Sequence, residues 1–230
     1  MAEAIDAVLF DLDGTLADTA PDLTRALNAV LAEQGHPPLP LERVRPQVSH
    51  GGRALIRLGF GLEPDDPRGE PLRQALLRHY QGDICRDTRL FSGMETLLWR
   101  LERAAIPWGV VTNKPGWLTR PLLQGLGLEA RAGCVVSGDS LPQSKPHPAP
   151  LLHACHELGA APGRSWYLGD ARRDIEAARA AGCHSLVALW GYLDGADRPC
   201  EWGADGCVAD PRELARGLEA GDGFSGWGAD

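Results

Sequence analysis

Apolar residues follow two alternating rhythms along most of this chain. Short unbroken runs at residues 4–10, 108–112, 134–137, 165–169 and 185–189, with a weaker one at 207–208, read as strands buried on both faces. Between them lie stretches with helical spacing. Residues 93–104 place Leu97, Leu98 and Leu101 on one face, with Ser92 as the expected N-cap. Residues 117–126 form a helix stopped by Gly127, and helices follow at 149–158 and 172–181. A last one, 211–218, has Asp210 as cap and Pro211 at its first position. This alternation predicts an α/β fold whose parallel sheet is covered by helices on both faces.

Residues 17–86 break the rhythm. Thr19 is placed to cap a helix whose stripe is Leu23, Ala26, Leu27, Val30 and Leu31, ending at Gly35. "GHPPLP" is a loop, and helical stretches follow at 52–59 and 70–80. No strand pattern is visible here. The expectation is a small all-α insertion at 17–86, placed between the first strand and the remainder of an α/β core formed by 1–16 and 87–230. The glycine-rich end, "AGDGFSGWGAD", is expected to fray.

Composition narrows the class of function. The 230 residues are 43% hydrophobic and 23% charged, enough for a sizeable core, and the formal net charge is -8. That balance argues against a nucleic-acid binder but leaves room for a small anionic substrate at a locally positive site. No apolar run is long enough to span a membrane, and no signal-peptide pattern precedes the first strand. Six scattered cysteines without a CxxC pair suggest reduced thiols and a cytoplasmic location.

In open α/β sheets, ligands bind beyond the carboxyl ends of the strands. There this chain places Asp11 and Asp13 after the first strand and Thr112, Asn113 and Lys114 after the second. Lys145 follows in the loop after the third, and Asp170 and Asp174 after the fourth. Taken singly, each has an ordinary reading as a turn residue, a helix cap or a solvated lysine. In this order they make chemical sense around a phosphate and a hard cation. Clustered carboxylates suit Mg²⁺, and Lys145 neutralises phosphate charge. Thr112, Asn113 and the loop N–H groups after Asp11, in the turn at Gly14 and Thr15, can hold phosphate oxygens. One carboxylate can attack phosphorus while the other handles the proton.

The motifs "DLDGT", "VTNK", "SKPHP" and "GDARRD" resemble, in type and order, the four motifs of the haloacid dehalogenase superfamily. The resemblance implies a Rossmann-like core with a small helical cap. It implies Asp11 as the nucleophile, Asp13 as general acid/base whose backbone carbonyl also binds Mg²⁺, and Thr112, Asn113 and Lys145 around the phosphoryl group. Asp170 becomes a direct metal ligand and Asp174 a supporting one. True dehalogenases of the superfamily lack the second Asp, so Asp13 favours phosphate chemistry. "GVVTNKP", "LGLEA", "SKPHPAPLL" and "YLGDARRDIEAARAAG" resemble the phosphoglycolate phosphatase-like group. "VSHGGRAL" and "ALWGYL" resemble its N-acetylmuramic acid 6-phosphate phosphatases.

The leading expectation is therefore a Mg²⁺-dependent phosphatase for a small phosphorylated metabolite, most similar to phosphoglycolate phosphatases, active as a monomer or homodimer. Ser49, His50 and Arg53 in the cap are the candidates for substrate choice. Other readings are a sugar-phosphate mutase, which would need a bisphosphate activator, and a non-catalytic phospholigand binder, which the two catalytic carboxylates oppose. A receiver module fits neither the length nor the motif order.

Overall fold

The computed structural model describes residues 5–220, so the glycine-rich tail lies, apart from Ala220, outside the described residues. Strands β1 (Ala7–Phe10), β4 (Trp108–Val111), β5 (Cys134–Val136), β6 (Ser165–Gly169), β7 (His184–Ala188) and β8 (Gly206–Val208) form one sheet. Its order is β5-β4-β1-β6-β7-β8, and every pairing is parallel. β1 is central: Val8 pairs with Trp108 on one side and Trp166 on the other. All four of its residues are fully buried, which is why the strand reads as an unbroken apolar run.

Helices α5 (Met94–Arg103), α6 (Gly116–Gly125), α7 (Ala149–Leu158), α8 (Arg172–Ala181) and α9 (Pro211–Ala220) cover the two faces. Phe10, Trp108, Leu97, Leu98 and Leu122 pack in one core layer, and Leu9, Val111, Leu151, Tyr167 and Ala178 in the other. Asp210 caps α9 by accepting the Arg212 N–H at 2.8 Å. Ser92 does not cap α5. Gly93 takes the N-cap position with φ +86, and the Ser92 hydroxyl instead accepts a hydrogen bond from Arg212. The left-handed turn favours glycine, and the neighbouring Arg212 offers a charged donor.

The stretch after β1 is helical, as its periodicity requires. It contains α1 (Ala20–Glu33), a short α2 (Leu41–Val44), a 3₁₀ turn (Arg45–His50), α3 (Gly51–Phe60) and α4 (Gly69–Gly82). Leu27, Val30, Leu31, Leu55, Ile56 and Leu76 form its own apolar cluster. One feature departs from the all-helical reading. A two-stranded antiparallel ribbon, β2 (Ala17–Asp18) with β3 (Arg89–Leu90), joins the insertion to the sheet. Two-residue strands carry no readable period. No helix among the described residues is long and apolar enough to cross a membrane.

Asp22, on the first turn of α1, ties the insertion to the returning chain. Its carboxylate accepts from the Asp87 N–H, the Thr88 N–H and the Thr88 hydroxyl at 2.9, 3.1 and 2.7 Å, and from Arg25 at 2.8 Å. Burial disfavours the charge, but these hydrogen bonds outweigh it and hold the carboxyl below the usual range. The stability it contributes is therefore complete above an unfolded pKa of about 3.9 and is lost as pH falls through the lower folded value. Asp22→Ala should lower the unfolding free energy by roughly 2–4 kcal/mol at neutral pH, with the difference shrinking in acid. Urea titrations at pH 7 and pH 3 check both parts.

Candidate active site

The carboxyl ends of β1, β4 and β6 converge on one buried ammonium. Lys145 Nζ lies 3.0 Å from Asp11 Oδ1 and 2.7 Å from Asp174 Oδ1, with its side chain fully enclosed. It also donates to the Val111 carbonyl at 3.0 Å and to the Tyr167 hydroxyl at 2.6 Å. Tyr167 in turn donates to Val111 O at 2.8 Å, so the lysine is held from the sheet floor. Asp11 Oδ1 further accepts the Leu12 N–H at 2.8 Å. Asp11 Oδ2 has no hydrogen-bond partner among the described residues.

Asp13 is in the same cavity but faces other groups. Its carboxylate pairs with Lys114 Nζ at 2.9 Å and accepts the Thr19 hydroxyl at 2.6 Å. Thr19 does not cap α1 with its side chain: its backbone is already in the αR region rather than extended, and its hydroxyl is turned to donate to Asp13. Lys114 also sits over the Tyr80 ring of α4, 4.4 Å from its centre, which joins the core site to the insertion.

Asn113 makes a reciprocal pair with the backbone of Lys145, donating to its carbonyl at 2.9 Å and accepting its N–H at 3.0 Å. In this arrangement its amide fixes the lysine loop. Thr112 is buried and accepts the Lys114 N–H at 3.2 Å. The Gly14 N–H, expected near a phosphate, donates to Ala17 O at 3.1 Å and closes the loop on itself.

Asp170 is wedged between two glycines. A Cβ at Gly14, where φ is +86, would sit 2.1 Å from Asp170 Oδ2, and one at Gly191 would sit 2.2 Å from Asp170 Cβ. Asp170 Oδ2 accepts the Tyr192 N–H at 2.9 Å and the Ser49 hydroxyl at 2.7 Å, the latter from the insertion. Burial first, then Asp11 and Asp174, push the Asp170 carboxyl up to about 7. Asp174 is raised too, mainly by burial and against the pull of Lys145. Its Oδ2 accepts the Ala171 N–H at the start of α8.

Asp11, Asp170 and Asp174 each offer an oxygen, all within 4.8 Å of one another. Asp11 and Asp174 meet Lys145 while Asp170 does not, and Asp170 and Asp174 resist ionisation. An all-oxygen set with excess negative charge fits a hard divalent cation such as Mg²⁺. The Asp13 carboxylate lies outside this set, so only its backbone carbonyl remains as a possible ligand.

A cavity of about 600 Å³ opens over these groups. Asp11, Asp13 and Asn113 line its floor, and His50, Arg53 and Arg73 of the insertion line its roof. Arg173, adjacent to Asp174, also lines it. Ser49 lines it as well, with its hydroxyl donated to Asp170. The structure thus brings every expected core residue to one place. The sequence reading assigned no role to Arg173 or Tyr192 and left Lys114 without a partner. Only Lys114, directly after a strand-end motif, carried a local signal.

Residues 8–188 match the haloacid dehalogenase-like hydrolase family profile. An N-acetylmuramic acid 6-phosphate phosphatase from Pseudomonas aeruginosa is 46% identical over 210 residues, covering 91% of this chain and 93% of that protein. A phosphoglycolate phosphatase from Xanthomonas campestris pv. campestris is also 46% identical, over 208 residues, covering 90% and 94%. A crystal structure of a predicted phosphoglycolate phosphatase from Haemophilus somnus superposes with a TM-score of 0.81 at 26% identity, covering 92% of this chain and 97% of that one.

In metal-free protein, Asp170 should depress stability as pH rises. Its folded pKa lies above the unfolded value of about 3.9, so the folded state holds a proton that the unfolded chain releases. The loss accumulates from about pH 4 to about pH 7 and then levels off. Asp170→Asn should consequently gain melting temperature over the wild type at pH 8 and much less at pH 5, read by calorimetry in chelator.

Proposed function

The chain belongs to the haloacid dehalogenase-like hydrolases and is a phosphomonoester hydrolase; we propose that it works through an aspartyl-phosphate on Asp11, with Mg²⁺ as cofactor, in the cytoplasm. The observation that carries this reading is the placement of Asp11 against Lys145 with one carboxylate oxygen unengaged, beside a second carboxylate, Asp13, in the same cavity.

In the first half-reaction, Asp11 forms a bond to phosphorus as the bond to the leaving oxygen breaks. Asp13 gives that oxygen a proton. In the second, Asp13 takes a proton from water, whose oxygen attacks the same phosphorus. Inorganic phosphate leaves and the Asp11 carboxylate is restored. Lys145 faces the charge that builds on the phosphoryl oxygens, and Asn113 holds the lysine loop in place. Thr112 is a candidate hydroxyl contact to the same oxygens. Asp11, Asp170, Asp174 and the Asp13 carbonyl would hold Mg²⁺, which when bound offsets the carboxylate charge and polarises the phosphoryl group.

The insertion is read as a cap over a core of 1–16 and 87–230, opening to admit substrate and release product. The substrate is read as a small phosphorylated acid of the phosphoglycolate type. A second reading, N-acetylmuramic acid 6-phosphate, is favoured by the cavity of about 600 Å³, which is roomier than a two-carbon acid needs. His50 and Arg53 line the roof and are the side chains for the part of the substrate beyond the phosphate.

Phosphate release from 2-phosphoglycolate and N-acetylmuramic acid 6-phosphate, with Mg²⁺ and with chelator, tests the reading. Turnover of at least one, lost in chelator and lost by at least ~10³-fold in Asp11→Asn, is expected; full activity of that variant would refute the covalent route. Arg53→Ala should raise KM for the preferred substrate about tenfold and leave an aryl phosphate nearly unchanged. Equal effects on both would remove Arg53 from substrate choice.

A further inference from the structure

A second set of contacts binds the insertion to the core at a distance from the reacting groups, and it ends on Asp170. Tyr192, in the loop after β7, is 2% exposed and packs within the apolar cluster of the insertion. Its hydroxyl accepts the Thr19 and Ala20 N–H groups at 2.6 and 2.9 Å and donates to Asp18 Oδ1 at 2.8 Å. Asp18, on β2 of the neck, receives a bidentate Arg45 at 3.0 and 2.9 Å. Arg45 also lies over the Tyr192 ring, 5.6 Å from its centre. Arg45 opens the 3₁₀ turn whose fifth residue is Ser49. The path closes on itself, because Ser49 Oγ and the Tyr192 N–H donate to the same oxygen, Asp170 Oδ2.

Resting on the metal-dependent reading above, we propose that Arg45, Asp18 and Tyr192 form a positioning brace: they dock the 45–50 turn on the core so that Ser49 orients Asp170, and cation affinity thereby depends on closure of the insertion. An exposed Arg–Asp pair alone contributes little. This one is bidentate, shares its acceptor with a buried tyrosine hydroxyl and spans three separately folded pieces of chain. Partners that orient a ligating carboxylate typically change metal affinity by about 10–100-fold. The dependence is reciprocal: whatever closure does for the cation, the cation does for closure.

The test uses the full chain and Mn²⁺ as a spectroscopic probe for an all-oxygen site, with free Mn²⁺ read by electron paramagnetic resonance. Ser49→Ala should weaken Mn²⁺ binding about tenfold. Arg45→Met, at a side chain whose polar and ring partners among the described residues are Asp18 and Tyr192, should weaken it by roughly threefold or more, and the double variant should fall within about twofold of Ser49→Ala alone. Tyr192→Phe should follow Arg45→Met. Hydrogen exchange over residues 45–50 should slow on adding Mn²⁺ to the wild type and not in Ser49→Ala. If Arg45→Met binds Mn²⁺ as the wild type does, or if it only lowers the melting temperature, the brace is a stability element and the coupling is overturned while the hydrolase reading stands. Wild-type protein that binds no Mn²⁺ overturns both the coupling and the metal-dependent reading.

Discussion

Four negative groups end at one edge of a sheet, and a single buried ammonium makes that arrangement possible. Lys145 Nζ meets Asp11 from β1 and Asp174 from α8 while the sheet itself, through Val111 and Tyr167, holds the lysine down. Without it, two carboxylates would face one another inside a low-dielectric layer, where like charges raise each other's pKa. With it, and with Arg173 nearby, three carboxylates still face two positive groups. Asp170 and Asp174 register that deficit as resistance to ionisation. The same excess of carboxylate oxygens is a donor set that fits a hard cation. The lysine loop is in turn fixed by Asn113, so the strand-end pattern is one connected object.

Around this edge the sheet core and the helical insertion present different kinds of side chain. The core supplies fixed carboxylates and lysines on the ends of strands, which suits a phosphate common to all substrates. The insertion supplies longer, partly exposed side chains, His50 and Arg53, on the other wall of the cavity. Beside the apolar packing of Leu118 and Tyr192, contacts that cross from the insertion to the core include Lys114 against Tyr80, Ser49 against Asp170, Arg45 against Tyr192 and Asp22 against Thr88. Each touches or adjoins an acidic residue of the site or of the neck, so separating the lobes exposes charges as well as apolar surface.

Much of this was legible in the order of residues. The central strands announce themselves because burial on both faces leaves no polar position to interrupt them, and the residues after each strand end are the ones the structure gathers around one cavity. What escaped was set by partners far away in sequence. Thr19 looks like a helix cap because capping is local, but its hydroxyl answers Asp13 across the loop. Ser92 looks like a cap until Arg212, 120 residues on, reaches it. Asn113 reads as a phosphate contact, yet its amide is held by the Lys145 backbone, 32 residues away. Tyr192 stood inside a stretch that resembled a known group, and nothing local discloses that it joins a metal-type carboxylate to the neck.

The position of β1 has a further consequence, one of timing. It is the first strand in the chain and the middle strand of the sheet, but its neighbours begin at Trp108 and Ser165. The helical insertion, by contrast, draws most of its apolar cluster from residues 20–80, with Leu118 and Tyr192 added from farther along the chain. Local contacts form before distant ones because the loop to be closed is shorter. On a growing chain the insertion can therefore assemble while the strand bearing Asp11 still waits for both partners. Asp11 is synthesised early and enclosed late, and for that interval the apolar strand before it has nothing to pair with.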